Sequence, residues 1–260
     1  MTKPDSGYAA LSATFIIKQA LMLRIILSLT LLAATISLAA QPLAHPGDDL
    51  RQLQWAETAP IINSADMDET FAAYPVEGVV AERIKGKSFA KGCTIPMEEL
   101  RYLILPHFDG KGHVKIGEMI CHESIAADLI DIFRQLFNLR YPIESMRLID
   151  DFDANDVRSM EANNSSAFCY RVVAGSKKLS AHARGVAVDI NPLYNPYVKQ
   201  KPDRLIVSPE AARPYADRSR TDIPMKIDAD DPATLLFKAH GFEWGGDWTT
   251  LKDYQHFEKD

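Results

Sequence analysis

The fold and chemistry of this chain turn on one stretch, Ser180-Ala181-His182-Ala183-Arg184-Gly185-Val186-Ala187-Val188-Asp189. Val186, Val188 and Ile190 alternate with Ala187 and Asp189, the period-two pattern of a short strand with its branched side chains packed behind it. An aspartate on the other face of such an apolar run needs a cation or a hydrogen-bonding network to offset the cost of burial. His182 stands on the far side of Gly185, and a loop folding back brings its imidazole to the same place. Near the C-terminus, Asp253-Tyr254-Gln255-His256-Phe257 supplies a second histidine with a carboxylate three residues before it. A catalytic zinc takes three protein ligands and keeps one position open. His182, Asp189 and His256 form such a set, which leaves Asp253 as a base for the proton of an activated water. Read singly, His256 and Asp253 are equally the cap of a final strand; the two segments together point to a metal.

Outward from this stretch, Phe168 to Val173 and Gly185 to Ile190 read as strands, and Asn191-Pro192 and Asn195-Pro196 break the chain. Upstream, Ile125, Leu129, Ile132, Phe133 and Leu136 repeat at helical spacing and predict a helix over Glu123 to Leu139, limited by Pro142. Asp153 or Asn155 caps a short helix through Asn163. Asp231 as cap, Pro232 in the first turn and Gly241 after the end predict another helix, Asp231 to His240. Gln41 to Thr94 lacks periodicity and is expected to be an extended segment crossing the domain surface. The whole reads as a mixed α+β domain.

The N-terminus reads differently. Ile25 to Ala39 is an uncharged, mostly apolar run behind Arg24, ending at Ser37-Leu38-Ala39 with a small residue at each position a signal peptidase would read, the order of a secretory signal. Residues 1–39 are therefore expected to be a signal peptide with an N-terminal extension, translation starting at Met1 or Met22. Residues 40–94 form the extended segment and 95–260 the catalytic domain. An uncleaved anchor running to Ala44 is the alternative, and the run is short for a full span. The 260 residues are 47% hydrophobic with a net charge of −6, ordinary globular composition. No basic block is present to neutralise phosphates, so no nucleic-acid partner is expected. With no heptad run or interface stripe, a monomer is the default. The spacings of Cys93, Cys121 and Cys169 match no zinc knuckle or CxxC motif, and these residues are expected to be structural or free.

Two motifs are decoys. His122-Glu123 opens like HExxH, but position 126 is Ala126, so the second ligand one turn on is missing. Ser88-Phe89-Ala90-Lys91 matches the SxxK nucleophile motif, yet no KTG or Ser-x-Asn element accompanies it.

The pattern SxHxxGxAxD followed by D-x-x-H resembles the zinc D-alanyl-D-alanine carboxypeptidase family, which includes vancomycin-resistance dipeptidases and phage L-alanyl-D-glutamate endopeptidases. The resemblance spans Asp150 to Glu258 and takes in Met160 to Arg171 and Gly241 to Trp248. It implies an antiparallel sheet flanked by helices with zinc in an open groove, a Hedgehog/D,D-peptidase-like fold. It implies Zn2+ held by His182, Asp189 and His256, with Asp253 as general base. Arg171 stands where a cation steadies the substrate carbonyl oxygen, or else forms a salt bridge. Ser180 either contacts substrate or shapes the loop; Trp244 and Gly245 either wall a substrate pocket or form a buried turn. Cys169 stands where related proteins lead one to expect Asn, which removes a polar role there. The implied substrates are peptidoglycan stem peptides, met outside the cytoplasm, periplasmic or extracellular, without stable membrane insertion once the signal is cleaved. Many carboxypeptidase members have Glu at the base position and the endopeptidase branch has Asp. Asp253 therefore leans the expectation to L-alanyl-D-glutamate endopeptidase. D-alanyl-D-alanine carboxypeptidase and a non-catalytic zinc-containing wall-binding domain are the alternatives.

Overall fold

The computed structural model describes residues 70–173 and 178–260. The expected signal at 1–39 and the chain up to residue 69 lie outside the described residues. The architecture is mixed α+β, in agreement with the sequence. Its first layer is an antiparallel sheet of β1 (Ala72–Pro75), β2 (Leu100–Phe108) and β3 (Val114–His122), in that order. β2 and β3 pair along their whole length, from Leu100 opposite His122 to Phe108 opposite Val114. The Asp109 carboxylate closes the hairpin by accepting from the Lys111 and His113 N–H groups at 2.9 and 2.8 Å.

Both faces of this sheet are covered, and strand alternation shows how. Leu103, Leu105, Met119 and Cys121 pack in one cluster with Ile125, Leu129, Ile132, Phe133 and Leu136 of α2 (Glu123–Asn138). Leu100, Tyr102, Ile104 and Ile120 pack in another with Val80 and Ile84 of α1 (Gly78–Ile84). Each such side chain removed from water contributes about 1.5–3 kcal/mol. The described part of the 40–94 segment thus differs from the extended strap expected of it. It supplies an edge strand and a helix, because Val76, Val80 and Ile84 complete the apolar cover of β2. His122 is the N-cap of α2, its Nδ1 accepting from the Ser124 N–H at 3.1 Å, which accounts for the His-Glu decoy structurally.

The second layer is the sheet β6 (Ala187–Asp189), β11 (His256–Glu258), β9 (Glu243–Trp244), antiparallel throughout. α4 (Pro232–Ala239) covers it, capped by Asp231 as expected, and Phe237 stacks on Phe257 at 4.3 Å between centroids. Val188, Ile190, Phe237 and Phe257 join α2 in one continuous core. A third antiparallel sheet, ordered β10 (Lys252–Asp253), β7 (Tyr197–Gln200), β8 (Leu205–Ser208), carries Asp253. The short parallel pair β4 (Ser145–Met146) and β5 (Asn164–Ser165) flanks Asn155-capped α3 (Asp156–Glu161) in the chain. The strand expected over Phe168 to Val173 does not form as a unit. Phe168, Cys169 and Tyr170 donate their N–H groups to Ile120, His182 and Ser88 in turn, so the chain is extended but its partners change at each residue. Among the described residues no helix is long and apolar enough to cross a membrane. All three cysteines are free.

Candidate metal centre

Antiparallel register sets the first two donors side by side, since Asp189 of β6 pairs directly with His256 of β11. The third arrives through a tight turn over His182–Arg184 that ends at Gly185 with φ +72°. A Cβ at Gly185 would lie 2.7 Å from the His122 backbone nitrogen, so only glycine lets this turn close against β3. The His182 N–H donates to the Ser180 hydroxyl at 3.2 Å, which ties buried Ser180 to the shape of the loop.

The three side chains meet as the sequence predicts. His182, Asp189 and His256 are all buried, and one donor atom from each lies within 4.8 Å of the others. His182 Nε2 is 3.1 Å from His256 Nδ1 and 3.2 Å from Asp189 Oδ2, and His256 Nδ1 is 3.0 Å from Asp189 Oδ1. Ligands at zinc distances around a tetrahedral centre stand about 3.3 Å apart, so the spacing suits the ion. The outer bonds also fit. His182 Nδ1 donates to the Ala167 carbonyl at 2.7 Å, and His256 Nε2 donates to Glu258 Oε2 at 3.2 Å. Each bond fixes the tautomer that turns the other ring nitrogen's lone pair inward.

Two inward lone pairs and a buried carboxylate require positive charge between them. Burial alone would pull the His256 imidazole down, but its bonds to Asp189 and Glu258 prevail and push it up to about 10. Burial likewise opposes ionisation of Asp189, and His182 and His256 outweigh it, holding the carboxyl well below the usual range. A cluster that draws a proton this strongly is one a divalent cation would satisfy. The donor set, its spacing and its outer bonds therefore fit zinc.

Asp253 and Arg171 flank the centre with atoms left open. Asp253 Oδ1 and Arg171 Nε are sealed from solvent and make no hydrogen bond. Burial first, then the charge of Asp189, pushes the Asp253 carboxyl up to about 7 against the opposing pull of His256. Gly245 makes room for it: a Cβ there would lie 2.5 Å from the Asp253 carbonyl oxygen. Arg171 Nη2 is ion-paired to Asp156 Oδ2 at 2.9 Å. Burial lowers its pKa, but Asp156 and Asp189 more than offset that, so the guanidinium stays charged.

Trp244 is a core residue, 4% exposed, with its indole N–H donating to the Tyr254 carbonyl at 3.0 Å. With Gly245 it backs the strand that carries Asp253. Half-buried Trp248 is the tryptophan beside the donors, its ring 5.3 Å from that of His256. Sequence reasoning missed Trp248, Asp156 and Glu258. Only Glu258 left a usable signal, since i and i+2 on a strand share a face. Ser88 is far from a nucleophile's setting, 1% exposed with its hydroxyl donating to Asp150 at 2.8 Å.

Residues 174–259 match the family described as D-alanyl-D-alanine carboxypeptidase. That stretch holds His182, Asp189, Asp253 and His256, whereas Asp156 and Arg171 precede it. No curated protein and no solved structure matches the chain. The match supports a peptidase of the zinc D-alanyl-D-alanine carboxypeptidase kind.

Proposed function

We propose that the chain is a zinc-dependent hydrolase of peptide bonds in peptidoglycan stem peptides. The observation that carries the reading is the open Oδ1 of Asp253 beside three converging metal donors. A site that served folding alone has no use for a buried carboxylate oxygen without a partner. His182, Asp189 and His256 would hold the metal, which when bound supplies Lewis acidity and acidifies a water towards neutrality. Asp253 takes the proton of the attacking water, and its raised pKa suits it to pass that proton to the leaving amine. Arg171, kept charged by Asp156, faces the charge that grows on the scissile carbonyl oxygen. The Trp248 ring forms an apolar wall next to His256.

Within this class we favour an internal bond of the stem, between L-alanine and D-glutamate. Asp253 in place of Glu draws the base back by one methylene, roughly 1.5 Å, which suits an extended peptide crossing the groove. Arg184 and Lys178 are the candidate clamps for the free C-terminal carboxylate that the carboxypeptidase alternative needs, and Arg184 pairs at the surface with Asp260 at 2.7 Å. The leader read at Ile25 to Ala39 supports action outside the cytoplasm. Purified protein is expected to carry stoichiometric zinc that His182→Ala loses. Mass spectrometry of digested muropeptides is expected to show the L-alanyl-D-glutamate bond cut. Protein without zinc in both forms would refute the centre; release of D-alanine alone would move the cut to the carboxypeptidase position.

A further inference from the structure

A cavity of about 560 Å³ lies between the β2–β3 hairpin and residues 144–153, and none of its lining residues belongs to the metal centre. Its size is that of a small-molecule site. Most of the charge around it is spent internally. Arg147 pairs with Asp151 at 2.8 Å, the Ser88 hydroxyl donates to Asp150 at 2.8 Å, and Lys87 reaches the Asp150 carbonyl at 3.0 Å.

Three lining groups are not spent in this way. His107 is 3% exposed; its Nδ1 donates to the Leu105 carbonyl at 3.3 Å, because that oxygen can only accept. Its Nε2 is almost hidden from solvent and has no partner within the protein, while the ring lines the cavity. Burial pulls this imidazole down to about 4, so at neutral pH Nε2 is a bare lone pair. A desolvated acceptor without a donor is costly, and the cost is removed when a donor arrives. Lys115 is the register partner of His107 across β2–β3 and makes no ion pair among the described residues. Exposed Glu144 takes one long bond, 3.3 Å from the Gly110 N–H, and pairs with no cation among the described residues.

An unspent cation, an unspent anion and a buried acceptor in one cavity call for a ligand with an anionic group, a cationic group and a donor between them. We propose that the cavity binds a short zwitterionic peptide, with its carboxylate on Lys115, its ammonium on Glu144 and a peptide N–H on His107 Nε2. A simple anion such as phosphate would leave Glu144 unanswered. The proposal does not depend on the reaction assigned to the metal centre.

Trialanine titrated into the full chain, followed by ligand NMR, is the test, with N-acetyl-trialanine and trialanine amide as arms. Saturable binding is expected to weaken about tenfold or more when either charged end is blocked, the usual worth of a charge-assisted hydrogen bond. Lys115→Gln should weaken trialanine but leave the amide unchanged, and Glu144→Gln should weaken trialanine but leave the acetylated peptide unchanged. Both side chains reach the surface, so neither change threatens folding. His182→Ala should leave binding intact, which separates the cavity from the peptidase centre. The proposal is overturned by absence of saturable binding at millimolar peptide. It is equally overturned by indifference to both glutamine variants, or by loss of binding in His182→Ala.

Discussion

Two of the places where the described residues bury charge treat it in opposite ways. Between α1 and the first sheet, Glu118 is 1% exposed and its carboxylate is filled: Arg83 donates at 2.6 and 3.0 Å, and the Tyr102 hydroxyl donates at 2.6 Å. Around the second sheet, three donors converge on one another, and Asp253 Oδ1 and Arg171 Nε are left open. Burial costs are similar in both places. At Glu118 the donors are turned on the carboxylate; at the second sheet part of the capacity is kept, as the proposed chemistry requires. A buried carboxylate oxygen left open beside three converging donors is thus what sets the second region apart.

Changes in each region break this contrast in different ways. Glu118→Ala leaves Tyr102 without its partner in the core and Arg83 with only the longer contact to Asp151 at 3.4 Å, and is expected to cost about 3 kcal/mol of stability, read by denaturant unfolding, with the specific activity of the folded fraction unchanged. Arg171→Ala is expected to lower turnover about 10²–10³-fold, the usual cost of a lost oxyanion donor, while its effect on the melting temperature stays small. Equal losses of stability in both variants would erase the distinction between the regions. Glu258→Gln keeps the shape beside His256 but removes the carboxylate that orients it, and chelator competition should show metal affinity about 10–100-fold weaker.

A separate effect is one of pH on the metal-free protein. The folded pKa of His256 is raised to about 10, so its contribution to stability is complete below the unfolded value near 6.5. That contribution is lost as pH rises through 10, with a slope of at most about 1.4 kcal/mol per unit. Chelated protein should therefore melt at falling temperature over that window, and zinc should flatten the slope, since the metal takes the proton's place. A chelated protein that holds its melting temperature from pH 6.5 to 10 would contradict the geometry given for His256.

What the sequence made legible was whatever a short period encodes. The alternation ending at Asp189, the glycine at 185 and the Asp-x-x-His spacing are local, and the strand register then brings His256 opposite Asp189. The α2 and α4 helices were equally readable from spacing and caps. Arg171 showed itself through the resemblance, but its partner Asp156 did not. That pairing joins the first turn of α3 to an extended segment fifteen residues on, and no local pattern records it. Trp244 and Trp248 were indistinguishable as letters; the choice between core and site lies with Gly246, where a Cβ would meet the Trp244 ring at 2.2 Å. β1 and α1 hid for the same reason, since their short apolar sets make sense only against β2.

The central claim is that Asp253 is a working base and not a structural acid. Asp253→Asn in zinc-loaded protein tests it, with zinc content and cleavage of defined muropeptides measured on the same preparation. The account predicts full zinc content and a fall in turnover of about 10²–10⁴-fold, the range for a lost general base. Turnover that survives the substitution at full zinc content would contradict it.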